Sequence, residues 1–206
     1  MAAAERQSGE GTRLSWPFGD LAALSYDLIM IDPAWEFSLR SEKGEGKSAQ
    51  AHYACMSLAD IKALPVAHLA RKDALLWCWA THPMLPQAIE SVAAWGFTFV
   101  TSGVWVKTTS GGKIAFGTGY VLRSASEPFL IARFGRPRTA RNVRTVIMAE
   151  ARDHSRKPDE AYEIAEAWAI DATRRADVFS RQTRPGWEAF GDEAGKFDAS
   201  APAAAE

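Results

Sequence analysis

Cysteine is nearly missing from this sequence. Only Cys55 and Cys78 occur in 206 residues, far apart and in apolar surroundings. That makes a disulfide framework or a zinc site improbable and fits a reducing, cytoplasmic setting. Histidine is almost as scarce. The four, His52, His68, His82 and His154, show no metal-ligand spacing, so no metal is expected. An excess of one charge sign is also lacking: 24 Lys and Arg stand against 25 Asp and Glu, a formal net charge of -1. No global basic field therefore announces nucleic acid, and any such binding must come from a local patch. No apolar run approaches the length of a membrane span. The opening MAAAERQSGEGTR has no apolar stretch of the secretory kind. Residues 1–13 and the Ala-rich 194–206 are expected to be disordered tails around one domain, 14–193.

What is present suits a single α/β domain. Hydrophobic residues make up 47% of the chain, enough for a substantial core. Tyr26 to Ile31 is a short apolar run stopped by Asp32-Pro33 and reads as a buried strand. Glu36 to Gln50 is polar and Gly-containing, and reads as a loop. Ser57 is placed to cap a short helix, with Asp60 at the capping-box position. Ala74 to Trp79 is a second buried strand. Pro83 to Trp95 is helical, with Gly96 at its end. Phe97 to Lys107 is a third strand, followed by a Gly-rich loop. Phe129 to Ala132 and Thr145 to Met148 read as strands, Lys157-Pro158 opens a helix to about Ala169, and Asp177 to Phe179 is a last strand. Alternating strands and helices predict a three-layer α/β/α sandwich with a mostly parallel sheet. Ligands in such sheets sit beyond the carboxyl ends of the strands, which puts Asp32 on the functional rim.

Four segments carry chemistry. In Asp32-Pro33-Ala34-Trp35, a carboxylate and a rigidly held proline carbonyl stand close enough to accept both hydrogens of an aromatic amine. That would aim the amine's weak lone pair at an electrophile, and an adjacent indole can stack on a base. The plainer alternative is that Asp-Pro only ends a strand and Trp35 is core. Lys157 precedes Pro158 at a helix entrance, where an anion such as an amino-acid carboxylate is favoured; a solvated surface lysine is the alternative. Asp177 ends a strand, where an acid can accept from ribose hydroxyls. Arg133 to Arg144 contains five arginines, Arg133, Arg136, Arg138, Arg141 and Arg144, and no acid. Beside a cleft it would contact phosphates. Gly46-Lys47-Ser48 imitates a phosphate-binding loop but lacks the earlier glycine, Ser41 standing in its place.

Taken in order, these segments resemble the mRNA adenosine-N6 methyltransferase family, which includes short bacterial and phage members, over roughly residues 16 to 193. YDLIMIDPAW is similar to the family's strand and Asp-Pro-Pro-Trp, HYACMSLADIKALPV to its Tyr-x-x-Met-Ser segment, and GFTFVTSGVWVK to its Trp-x-Lys strand. In GTGYVLRSASEPFLIARFG, Glu127 matches an acid preceding a strand. ARDHSRKPDEAYE and DVFSRQTRPGWEAFGDE resemble the cofactor-binding end.

The resemblance implies a circularly permuted Rossmann-like methyltransferase fold, S-adenosylmethionine as methyl donor, and adenine N6 in nucleic acid as acceptor. DNA is preferred over RNA because the chain is short. A catalytically silent nucleic-acid-binding subunit is the alternative of another class, and a homodimer is possible. Residue by residue, the resemblance implies that Asp32, Pro33, Ala34 and Trp35 form the catalytic motif, with Trp35 and Tyr53 against the target base. It puts Asp32 beside the cofactor, Lys157 at the cofactor's methionine end, Asp177 and Arg181 at its ribose, and Asp192 and Glu193 near its nucleoside. Arg133, Arg136, Arg138 and Arg141 are expected to hold the nucleic acid. Two positions depart from the family pattern. Ala34 replaces the second proline and loosens the motif, and Asp192 replaces an asparagine, leaving only acceptors.

Overall fold

A computed structural model of the protein describes residues 16–35, 55–119, 121–152 and 156–198. Seven strands form one sheet: β1 (Tyr26–Ile31), β2 (Ala70–Trp79), β3 (Thr98–Thr108), β4 (Ser126–Phe134), β5 (Val146–Glu150), β6 (Arg175–Val178) and β7 (Trp187–Phe190). Their spatial order is β5-β3-β4-β2-β1-β6-β7. All neighbouring pairs are parallel except the two made by β4, which runs antiparallel to β2 and β3. The α-helices are α1 (Leu58–Ala63), α2 (Leu85–Ala94) and α3 (Asp159–Trp168).

The alternation within β1 sets the layers. Ile29 and Ile31 point to one face, packing with Ile61 of α1 and Ala88 and Val92 of α2. Leu28 and Met30 point to the other, packing with Ala161, Tyr162 and Ala165 of α3. Successive strand residues face opposite sides, and here both sides are covered, so β1 has no polar position from Leu28 to Ile31. The second face is aromatic. The Trp77 and Phe129 rings stack with centroids 3.9 Å apart, and Trp79 meets Phe129 edge-on at 5.5 Å.

The expected caps are present. The Ser57 hydroxyl accepts the Asp60 N–H at 3.1 Å and starts α1. Gly96, at φ +84°, ends the turn after α2 in a conformation that costs glycine nothing. The helix expected from Pro83 begins instead as a 3-10 turn, His82–Met84, before the α-helix takes over at Leu85. The structure adds β7 beyond Asp177–Phe179, which the sequence predicts as the last strand. Four residues at a sheet edge are too short to show a period. Residues 194–198, expected to belong to a tail, form turns that lie against the loop after β6, with the Phe197 N–H donating to the Arg181 carbonyl at 3.1 Å. Among the described residues, no helix is long and apolar enough to cross a membrane.

Candidate active site

β1 and β6 are parallel neighbours, and both end at the same rim: Ile31 pairs with Val178, and the Asp32 N–H donates to the Val178 carbonyl at 3.1 Å. The next described element after β1's end, α1, lies on one face, whereas the loop after β6 returns to the sheet at β7. A crevice opens beyond such diverging strand ends. Here it is a cleft of about 300 Å³, counting its mouth open to solvent, with Asp32, Lys157, Asp177, Ser180 and Arg181 among its lining residues.

One wall is a buried charge network. The Lys157 ammonium lies 3.0 Å from Asp32 Oδ2 and donates to Glu127 Oε1. Lys107 reaches the other Glu127 oxygen at 2.8 Å. Two carboxylates and two ammonium groups thus balance. Lys157 is 8% exposed, which excludes the solvated surface lysine of the plainer reading. The pairing also explains why so buried a charge is tolerated. Burial alone would depress the Lys157 pKa, but Asp32 and Glu127 raise it above the usual lysine value. Burial would likewise raise the Glu127 carboxyl, yet Lys157 and Lys107 hold it at about 2. Asp32 goes the other way. Burial pushes its pKa up, Lys157 pulls it down, Glu127 repels it, and the balance stays above the ordinary carboxylate value.

The second wall is built from β6 and α3. Asp177 is 3% exposed, and its Oδ2 accepts from the Tyr162 hydroxyl at 2.9 Å and the Ser180 hydroxyl at 2.7 Å. Burial lifts the Asp177 carboxyl to about 6, against the pull of those two hydrogen bonds. The Arg184 guanidinium lies over the Tyr162 ring at 3.6 Å and 3.8 Å from Asp177 Oδ2. Phe179 takes φ +61°, a left-handed backbone that non-glycine residues seldom adopt and that is found at functional sites. It turns the chain so that Ser180 reaches back to Asp177.

The sequence-derived residues divide into those brought together and those not. Asp32, Lys157, Asp177 and Arg181 share the cleft. Glu193 bonds to Arg181 and so stands behind it, while Asp192 is exposed. The Pro33 carbonyl accepts the Trp35 N–H at 2.8 Å, which leaves one lone pair for another donor. The Ala34 carbonyl is engaged by the Met56 N–H at 3.0 Å. Trp35 corrects the expectation of a base-stacking ring. It is 4% exposed, sits in the core with Ile31 and Ile61, and donates its indole N–H to the Trp79 carbonyl at 3.0 Å. An indole enclosed on both faces has no face left for a base.

The arginine segment is not brought to the site either. Arg133 pairs with Leu75, in the middle of β2, and with Thr98 at the amino-terminal end of β3. The Arg136 N–H donates to Asp73, Arg138 meets Asp171, and Ala140, beside Arg141, bonds to Trp168 at the far end of α3. Because β4 runs antiparallel, it carries these four arginines to the rim opposite Asp32. Tyr53 lies outside the described residues.

The structure also adds residues that the motif reading passed over. Tyr162 lies five residues beyond Lys157 on the inward face of α3. Ser180, Gln182 and Arg184 follow Asp177, and the unbroken polar run Ser180 to Arg184 just after a strand-ending acid was the available signal. Glu127, noted only as an acid before a strand, turns out to be the second anchor of Lys157.

Comparison with known proteins points to one family. A model of the MT-A70 family matches residues 26–193, a span that holds both walls. The chain is 31% identical over 173 residues to a probable N(6)-adenosine-methyltransferase MT-A70-like protein of Oryza sativa subsp. japonica, covering 82% of this chain and 23% of that protein. It is 29% identical over 174 residues to the N(6)-adenosine-methyltransferase MT-A70-like protein of Arabidopsis thaliana, covering 82% and 24%. It is 27% identical over 197 residues to the type II methyltransferase M.MunI of Mycoplasma sp, covering 85% of this chain and 81% of that protein. The chain thus spans about a quarter of the length of the plant relatives it matches.

Proposed function

The chain belongs to the MT-A70 family, and from that premise we propose that it methylates the N6 amine of adenine in DNA, with S-adenosylmethionine as donor, on a circularly permuted Rossmann-like fold. The observation that carries this reading is the meeting, at one rim, of the Asp32–Lys157–Glu127 network with the Asp177–Ser180–Arg181 wall. The donor set fits the cofactor. Lys157 has spent two of its three N–H donors on carboxylates and keeps one for an anionic group. Asp177 has spent one oxygen, Oδ2, and keeps Oδ1 for hydroxyl donors. When bound, S-adenosylmethionine supplies an electrophilic methyl group on a sulfonium.

The chain's own residues then have to orient and deprotonate. Lys157 holds Asp32 Oδ2 at 3.0 Å, which fixes the carboxylate plane and leaves Oδ1 to accept one amine hydrogen. The free lone pair of the Pro33 carbonyl accepts the other. The amine nitrogen, poorly nucleophilic because its lone pair is delocalised, is thereby aimed, and positioning supplies most of the rate. After transfer the nitrogen carries one proton too many. Asp32, its basicity raised by burial and by Glu127, is placed to take it.

DNA as the acceptor is supported by extent: the match to the type II methyltransferase runs along 81% of that protein, and those to the plant adenosine methyltransferases along about a quarter of theirs. The test is direct. The purified protein is incubated with methyl-labelled S-adenosylmethionine and either DNA or RNA, the polymer is digested, and the nucleosides are separated. Label in N6-methyldeoxyadenosine is the expected result. Label in N6-methyladenosine overturns the choice of DNA, and cofactor binding without label in either identifies a silent binding subunit.

The Asp177 wall carries a pH prediction. Ribose hydroxyls donate to the carboxylate, so they favour its ionised form, and protonation competes with binding. Affinity for S-adenosylhomocysteine, read by calorimetry, is expected to be flat above pH 7 and to fall about tenfold per pH unit below about 6. Asp177→Asn should bind more weakly at neutral pH and lose that slope. A wild-type affinity constant from pH 5 to 8 would remove Asp177 from the ligand.

A further inference from the structure

We propose that Phe197 forms an aromatic face of the cofactor pocket and stacks on the adenine ring of S-adenosylmethionine. The inference rests on the reading of the cleft as the cofactor site. It adds a binding residue from a part of the chain that the family match, which ends at residue 193, does not reach.

Phe197 lines the same cleft as Asp177 and Arg181, yet it comes from the turns after β7. Four contacts bring those turns to the cleft and hold them there. The Phe197 N–H donates to the Arg181 carbonyl at 3.1 Å. The Asp198 carboxylate accepts from the Thr183 N–H at 2.8 Å and the Thr183 hydroxyl at 2.7 Å. Gly191 packs directly on the loop after β6. A Cβ there would stand 2.7 Å from the Ser180 carbonyl oxygen and 3.1 Å from Phe179 backbone atoms, so only glycine permits the approach. The Arg181–Glu193 ion pair ties the same turns to the pocket floor.

The position of the ring defines what it would meet. The Arg181–Thr183 segment to which it is tied follows Asp177, the acid assigned to the ribose, and Lys157 and Asp32 occupy the other wall. Phe197 therefore stands at the nucleoside end. The ring is only partly buried, though apolar, and it borders a cleft otherwise rich in charge. Arg156 lies with its guanidinium carbon 5.3 Å from the ring centroid and donates to Gln182 at 3.0 Å, and the Lys196 ammonium stands 6.0 Å from the same centroid. A half-covered ring of this kind suits a flat, uncharged heteroaromatic partner, as adenine is.

The test compares three variants of the full chain, Phe197→Ala, Phe197→Leu and Phe197→Tyr, by calorimetric titration with S-adenosylhomocysteine, with folding followed by circular dichroism. Loss of one base–aromatic stack is expected to weaken binding by about 5- to 100-fold. Alanine and leucine should both show that loss, because leucine keeps the apolar bulk and removes the π face. Tyrosine should remain within about threefold of wild type. Leucine binding as tightly as phenylalanine, or alanine unchanged, overturns the inference and reduces Phe197 to packing. If alanine fails to fold, the leucine–tyrosine pair still decides. A wild-type protein that takes up no S-adenosylhomocysteine refutes the cofactor reading and this inference together, whereas wild-type binding with indifferent variants refutes this inference alone.

Discussion

Asp32→Ala is expected to slow single-turnover methylation by about a hundred- to a thousandfold, the loss typical when one preorganised contact to the reacting group, worth roughly 2.7–4 kcal/mol, is removed. Two features of the site point to so large an effect on rate with so small an effect on the fold. Asp32 is the acceptor at the strand end nearest the cleft, its orientation fixed by Lys157 at 3.0 Å. It is also a carboxylate whose burial works against its ionised form, so removing it relieves a desolvation cost. Lys157 keeps Glu127 as a partner, and Glu127 keeps Lys107. The variant should therefore give an unchanged circular dichroism spectrum and bind S-adenosylhomocysteine within a few-fold of wild type while turnover collapses. Asp32→Asn should be nearly as slow, since its amide would turn a donor either towards Lys157 or towards the target amine. Wild-type turnover by folded Asp32→Ala would sink the mechanism.

Trp35→Ala should do the opposite and act through stability. Truncating a buried indole costs about 3–5 kcal/mol, a large share of the total stability of a domain of this size. Trp35 loses its packing with the core around Ile31 and Ile61, and the Trp79 carbonyl loses the indole N–H at 3.0 Å. Trp35→Phe restores most of the apolar area but not that donor, and should cost about 1–3 kcal/mol, the range for a buried polar group left unpaired. Denaturant melts of the three proteins would read this order directly. Had the ring been a stacking surface, the phenylalanine variant would be nearly silent in stability and both variants would show their main deficit in binding nucleic acid. An alanine variant as stable as wild type, but poor in substrate binding, would restore that role.

Most elements could be read from the sequence because their signals are local. The apolar run Leu28 to Ile31 of β1 with Asp32-Pro33 behind it, the Ser57 cap with Asp60 three residues on, and Gly96 after a helical stretch each declare themselves within a few residues. Motif order was enough for the family. The short β7 and the turns that carry Phe197 were missed for the same reason. Neither has a period, and each exists because a partner elsewhere in the chain holds it, β6 in one case and the Arg181–Thr183 loop in the other.

Composition and spacing by themselves determined the class of fold, the candidate chemistry of Asp32, Pro33 and Lys157, and the improbability of disulfides, because each depends on residue type and near neighbours. Only the tertiary structure decided which residues share a site. It turned Lys157 inward between Asp32 and Glu127, residues 125 and 30 positions away from it, and the sheet order β4-β2-β1 brings Glu127 and Asp32 near each other.

 Counted along the chain from Asp32, Glu127 is 95 residues on and Lys157 is 125 residues on, and the last two are 30 apart. No local pattern links positions so distant. The fold also closed Trp35 into the core, whereas an aromatic residue next to a strand-ending acid looks the same in sequence whether it faces the cleft or the interior. It sent Arg133, Arg136, Arg138 and Arg141 to the opposite rim through one antiparallel strand, β4. Strand direction is set by which neighbours a strand finds, and a run of arginines carries no information about that.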